Sequence, residues 1–279
     1  MPVLNDWINP LYLEDNTIHD LQESIKAKPV VGYAILDNFF KLDKLEALIE
    51  AHKTLEFSFE ADGSDRLPYD SAVVFAQEEN YGSELFFNEE WQRYCCDLLG
   101  VNLDFPIGTE IKLRWHRPYS SGFWLHTDGI SRDLVVIAYF NKNWKASDGG
   151  LLQLWVDKGE VTTSDTFPLE DLDPQDPDPQ DRLNMLNKLE WQCPKRLFTK
   201  NPGGGIESED GNSLHEFILI DQIVPVYNRV VLCNFQTNPA FHSITPSNGK
   251  ERTGFLQWMF SQKNHDRVWE ERRKNFSGP

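Results

Sequence analysis

The chain has 279 residues, 40% of them hydrophobic and 13% aromatic, which is enough for one sizeable core and too apolar for a disordered chain. Its 44 acidic residues against 27 Lys and Arg give a net charge of -17, which disfavours a sequence-independent grip on nucleic acid or an anionic membrane. Four cysteines without CxxC spacing exclude a disulfide framework and a zinc knuckle, and predict reduced, buried thiols in a soluble cytoplasmic protein.

In chain order, Met1 to Pro10 lacks the basic head and apolar core of a signal segment. Leu42, Leu45, Leu48 and Ile49 then recur at helical spacing opposite Asp43, Lys44, Glu46 and Glu50, and Trp91, Tyr94, Cys95, Leu98 and Leu99 repeat the pattern. Both are expected to be helices supporting one face of a sheet. From Glu110 the pattern changes to short β-branched and aromatic runs: 111–115, 123–127, 134–140, 151–156, 217–220, 229–235, 243–245 and 254–260. Eight such strands match the count of a double-sheet jelly roll. The longest apolar run, Leu134 to Phe140, is far short of the roughly 18 residues a membrane span needs.

The acidity is concentrated between Asp157 and Asp221, where fifteen acids face six bases and -9 of the -17 resides. Asp165 to Asp181 holds seven acids and no base, so it is expected to be a solvated loop, or a lid that attracts a cationic substrate. A short helix is expected near Arg182 to Trp191, and a charged helix from His265 to Lys274. The predicted organisation is a support region over 1–109, a catalytic core over 110–260 with an insertion at 157–216, and a tail over 261–279.

Of the seven histidines, only His126 has a carboxylate two residues on, Asp128. Residues i and i+2 of a strand share a face, so this pair can supply two legs of a metal site, with His242 as the candidate third. Two His and one carboxylate leave open positions suited to non-haem Fe(II) and oxygen activation. Arg252, opening the last strand, could hold the remote carboxylate of a dicarboxylic cosubstrate in bidentate fashion. Arg114, Arg117 and Arg132, close to these residues in sequence, put cations near the mouth. His19, His52, His215 and His265 have no partner spacing and read as surface residues.

With these residues in place, the sequence resembles the Fe(II)/2-oxoglutarate dioxygenases of the prolyl-4-hydroxylase-like superfamily. The resemblance rests on His126-Thr-Asp128, Tyr139-Phe-Asn-Lys-Asn-Trp144, Gly149-Gly150-Leu, Asn228-Arg229-Val-Val-Leu, His242-Ser-Ile-Thr-Pro246, and Arg252 with Trp258. It implies a mainly β fold with a double-stranded β-helix (jelly roll, cupin-like) core and N-terminal supporting helices. It assigns Fe(II) to His126, Asp128 and His242, and the C5 carboxylate of 2-oxoglutarate to Arg252 and the Tyr139 hydroxyl. His116 stands where the family often places a cosubstrate-contacting Tyr, and is carried over as a further cosubstrate contact. Trp155, near the rim in the family's topology, and Arg117 and Trp124 are the expected substrate contacts. Oxygen is the second cosubstrate, ascorbate a stimulant, and succinate and CO2 the by-products. Retention of Asp128 favours hydroxylation over halogenation.

The expected reaction is hydroxylation of an unactivated C–H bond in a prolyl or amino-acid-like substrate. A free small molecule or natural product undergoing hydroxylation, desaturation or cyclisation is an open alternative, because an elaborate lid suits an enclosed ligand. Zinc hydrolysis at the same triad would leave Arg252 and Tyr139 unexplained. A jelly roll that binds without catalysing would leave a full catalytic set unused. Neither the oligomeric state nor the substrate is legible in the sequence.

Overall fold

The computed structural model describes residues 2–28, 31–62, 65–75, 81–120, 122–126, 128, 132–160, 195–199, 214–236, 241–263 and 266. Its elements run α1 (Pro2–Trp7), α2 (Asp15–Lys26), β1 (Tyr33–Asp37), α3 (Leu42–His52), β2 (Ser58–Asp62), β3 (Asp65–Val74), α4 (Ser83–Phe86) and α5 (Glu89–Leu99). The strands β4 (Gly108–His116), β5 (Phe123–His126), β6 (Leu134–Tyr139), β7 (Leu152–Glu160), β8 (Lys195–Thr199), β9 (Leu214–Ile223), β10 (Arg229–Asn234), β11 (Phe241–Ile244) and β12 (Arg252–Phe260) follow. They form a seven-stranded antiparallel sheet in the order β1-β10-β6-β12-β4-β3-β2 and a five-stranded one in the order β5-β11-β7-β9-β8. This is the expected double-stranded β-helix with N-terminal helices, with twelve strands among the described residues instead of eight because 33–37 and 58–74 add three strands to the larger sheet and 195–199 adds one to the smaller.

Strand alternation sorts the larger sheet's side chains into two layers. Leu113, Val136, Leu232 and Phe255 pack outward against the helices, where Trp91, Phe86, Leu45 and Leu48 close the main core. Val135, Ile137, Tyr139, Val231, Cys233 and Trp258 point inward and meet Leu152, Leu154 and Ile223 of the smaller sheet. Each fully buried large apolar side chain contributes about 1.5–3 kcal/mol. Helix α5 is delimited locally: Asn88 accepts from the Glu90 N–H, Glu89 and Glu90 sit in its first turn, and Gly100 ends it at φ 65°. Buried Gln257 docks the helical layer onto β12, accepting from Trp91 Nε1 at 2.8 Å and donating to the Phe86 carbonyl at 2.6 Å.

The motif asparagines serve the same frame. Asn228 exchanges two hydrogen bonds with the Phe40 backbone, and Asn141 accepts from the Thr253 N–H while donating to the Pro225 carbonyl. Arg229 clasps Asp37 at 2.6 and 2.8 Å, tying β1 to β10.

The predicted insertion begins and ends within strands, because β7 continues to Glu160 and β9 starts at Leu214. Asp165 to Asp181 and Arg182 to Trp191 lie outside the described residues, as do Cys193 and most of the tail. Cys95, Cys96 and Cys233 are buried and unpaired. No helix among the described residues is long and apolar enough to cross a membrane. His52 corrects one expectation: it is buried at the end of α3, between the rings of Tyr81 and Phe140. The α3 periodicity carries it inward with Leu45 and Leu48.

Candidate active site

Strand pairing builds the metal-ligating set. His126 and His242 are direct cross-strand partners in β5 and β11, with ring centroids 4.2 Å apart. Asp128, just beyond β5, directs Oδ1 to both imidazoles, 3.6 Å from His126 Nε2 and 3.7 Å from His242 Nε2. The three donor atoms lie within 4.8 Å of one another and are the group among the described residues able to hold an ion. Donors sharing one ion at roughly 2.0–2.2 Å sit about 3 Å apart on adjacent positions, so small side-chain rotations complete the set.

The other Asp128 oxygen accepts a hydrogen bond from Trp258 Nε1 at 2.7 Å. Burial alone would raise the Asp128 carboxyl. The His242 and His126 imidazoles and the Trp258 N–H outweigh it and hold the carboxyl well below the usual range, as an anion ready for a cation. Cys233, inside the same barrel, is pushed up to about 12 by burial and by the Asp128 charge, so it remains a thiol.

The inner face of the larger sheet also carries a buried cationic cluster. Arg252 begins β12 and is paired in register with His116 of β4, while Tyr139 of β6 is paired with Gly254. The Arg252 guanidinium carbon is 5.1 Å from the Tyr139 ring centroid. Arg252, Tyr139 and His116 are all buried, and Arg252 has no carboxylate partner among the described residues. Arg252 Nε, the Tyr139 hydroxyl and His116 Nε2 are buried polar atoms without a well-formed hydrogen bond. Burial, then the charges of Arg252 and Arg114, hold the His116 imidazole well below its ordinary value, so it is neutral. A buried guanidinium flanked by two unsatisfied polar groups is a receptor for an anion.

The glycine motif makes room for it. Gly150 adopts φ 63°, and a Cβ there would come within 2.8 Å of Arg252 Cδ. Trp144 donates to the Gly149 carbonyl at 2.9 Å, and Thr245 Oγ1 accepts from the Leu151 N–H at 2.9 Å, so three motifs converge on this turn.

Two expected substrate contacts are placed elsewhere. Trp155 pairs in register with Phe241, and its neighbour Leu154 pairs with His242, so Trp155 takes the opposite face of its sheet. There it is fully buried with Leu125, Phe217 and Phe241, its Nε1 donating to Ser243 Oγ at 2.9 Å. Arg117 is likewise turned away: it binds Asp70 at 2.7 Å and stacks 3.7 Å over Trp115 on the face of β4 opposite His116. The Trp124 side chain lies outside what the structure describes, although its backbone is in β5.

Conversely, the structure adds Tyr69, whose ring lies 5.2 Å from that of His116 and 5.8 Å from that of Phe123. Its strand carries Pro68, which obscures the pattern in the sequence. The Trp258 hydrogen bond to Asp128 is also new, although Trp258 itself stands in the motif set.

No protein-family profile and no curated protein sequence matches this chain. Solved structures do match. A Trichoplax adhaerens prolyl hydroxylase in complex with a hypoxia inducible factor oxygen degradation domain peptide fragment gives a TM-score of 0.53 at 15% identity, covering 92% of this chain and 94% of that one. An oxidoreductase of the 2OG-Fe(II) oxygenase family from Burkholderia pseudomallei gives 0.51 at 10% identity, covering 88% and 91%. HygX from Streptomyces hygroscopicus, with nickel and 2-oxoglutarate bound, gives 0.50 at 11% identity, covering 86% and 87%. The chain thus has the double-stranded β-helix fold of the prolyl hydroxylases and 2OG-Fe(II) oxygenases, with a His-Asp-His metal-ligating triad inside it.

Proposed function

We propose that this protein is an Fe(II)- and 2-oxoglutarate-dependent oxygenase that hydroxylates an unactivated C–H bond of a prolyl or amino-acid-like substrate. The observation that carries the reading is that one barrel interior holds both the His126-Asp128-His242 set and a buried Arg252 that has no carboxylate partner among the described residues. Zinc hydrolysis would account for the first and leave the second unexplained.

His126, Asp128 and His242 would hold the iron, their two neutral donors and one anion leaving half of an octahedral shell open. Iron with oxygen, when bound, supplies the oxidation that breaks the C–H bond, coupled to conversion of 2-oxoglutarate to succinate and CO2. Arg252 would neutralise the C5 carboxylate, the Tyr139 hydroxyl and neutral His116 would donate to cosubstrate oxygens, and Trp258 would keep Asp128 turned toward the metal. The similar Trichoplax enzyme binds a peptide fragment and the similar Streptomyces protein binds nickel and 2-oxoglutarate; the first favours a prolyl substrate, the second the cosubstrate.

The test is reconstitution with Fe(II), ascorbate, oxygen and 2-oxoglutarate, following succinate. Wild-type protein should bind 2-oxoglutarate and release succinate, with a visible charge-transfer band under anaerobic conditions, and Arg252→Gln should lose all three. A wild-type protein that neither binds 2-oxoglutarate nor forms succinate would overturn the reading.

A further inference from the structure

Two residues before His116 on the same inward face of β4 stands Arg114, paired in register with Gly254 of β12 and Ser71 of β3. Its guanidinium carbon lies 4.3 Å from the Tyr69 ring centroid and 5.4 Å from that of Trp258, the residue hydrogen-bonded to Asp128. It is therefore one indole away from the metal-ligating carboxylate. The two neighbouring cations share one acid: Glu110 lies 2.8 Å from Arg132 and 3.6 Å from Lys112. Arg114 has no such partner among the described residues, and its Nε is buried without a hydrogen bond. In a chain of net charge -17, an inward-facing guanidinium without an acid stands out against the local charge balance.

The Arg114 guanidinium is within cation–π reach of two rings, and a guanidinium without an acid partner among the described residues can offer its N–H edge to a bidentate acceptor. Arg252 lies one register step further along the sheet, level with His116, and is the residue assigned to the cosubstrate carboxylate. We propose that Arg114 is the substrate anchor: it holds a carboxylate of the molecule to be oxidised, beside the metal. The proposal rests on the oxygenase reading and narrows it, selecting substrates that carry a carboxylate near the reacting carbon. It also reverses the expectation of a cationic substrate drawn from the acidic insertion.

The test is isothermal titration calorimetry on the anaerobic Fe(II)- and 2-oxoglutarate-loaded protein, with acetate, L-proline, L-prolinamide and a blocked Asp-Pro dipeptide as probes. L-Proline should bind at least tenfold more tightly than L-prolinamide, with acetate as a weak competitor. Preference for the blocked Asp-Pro dipeptide over L-proline would place the carboxylate on a peptide side chain and equally support the anchor. Arg114→Gln should abolish the preference and leave the 2-oxoglutarate Kd within twofold, and Arg114→Lys should restore part of it. If the loaded wild-type protein binds no carboxylate probe better than L-prolinamide, or if Arg114→Gln weakens 2-oxoglutarate binding tenfold, the anchor is overturned and the oxygenase reading stands. Failure of wild-type protein to bind 2-oxoglutarate overturns both.

Discussion

Trp258 donates its indole N–H to Asp128 Oδ2 at 2.7 Å, which leaves Oδ1 as the oxygen facing His126 and His242. Outer partners of this kind fix the orientation of a metal ligand, and their loss costs about 10–100-fold in metal affinity. Trp258→Phe keeps an aromatic ring beside Arg132 and Arg114, removes the N–H donor and gives up part of the buried indole's volume. The variant should fold normally by circular dichroism and bind Fe(II) or Ni(II) at least tenfold more weakly by titration. An unchanged metal affinity would show that the Asp128 orientation needs no support.

Arg252 carries a charge that the described residues do not compensate, and such a buried charge costs about several kcal/mol when nothing pairs with it. Arg252→Met should therefore leave the ligand-free protein as stable as wild type, or more so. Saturating 2-oxoglutarate, at 100 times its Kd, should stabilise wild type by about 2.7 kcal/mol and leave this variant unmoved. Thermal unfolding with and without 2-oxoglutarate separates the two effects. Tyr139→Phe, which deletes a single hydroxyl donor, should raise the 2-oxoglutarate Kd about tenfold.

Gly150 tests whether the glycine motif serves the pocket or only the turn. At φ 63° an Ala costs about 1–2 kcal/mol in any context, but here its Cβ would also displace Arg252 Cδ. Gly150→Ala should weaken 2-oxoglutarate binding about tenfold while Ni(II) affinity stays within twofold. Equal loss of both, or of neither, would assign the glycine to the turn alone.

Short β-branched and aromatic runs made β4, β6, β10 and β12 legible, and β6 and β10 are continuous apolar runs because both of their faces are buried. The triad was legible through the His126 and Asp128 spacing and the position of His242, though the cross-strand pairing that brings the imidazoles together belongs to the fold. Facing was harder to read. Trp155 and Arg117 carry suitable chemistry, yet a shift of one residue along a strand exchanges the two faces, and both point away from the metal set. Tyr69 was hidden for another reason, since Pro68 interrupts the strand signal and its contact with His116 spans 47 residues. His52 shows the same limit in a helix: a lone polar residue at the end of an amphipathic stretch takes the face its turn assigns.

That buried His52 predicts an acid sensitivity separate from the metal site. Burial holds its imidazole down to about 3, against an ordinary value of 6.5, with the Tyr81 backbone offsetting only part of the effect and neither ring nitrogen making a well-formed hydrogen bond. Below pH 6.5 the unfolded chain takes up a proton at His52 that the folded chain refuses. Its contribution is therefore full above pH 6.5 and falls on acidification by about 1.4 kcal/mol per pH unit until the folded imidazole also titrates. Other groups add slopes of their own, so the difference between wild type and a variant isolates this one. His52→Leu should match wild type at pH 7.5 within about 1 kcal/mol and exceed it by about 2 kcal/mol at pH 5.0, by urea unfolding of the metal-free proteins. Parallel pH profiles would show that His52 is protonated equally in both states, contrary to its buried setting between Tyr81 and Phe140.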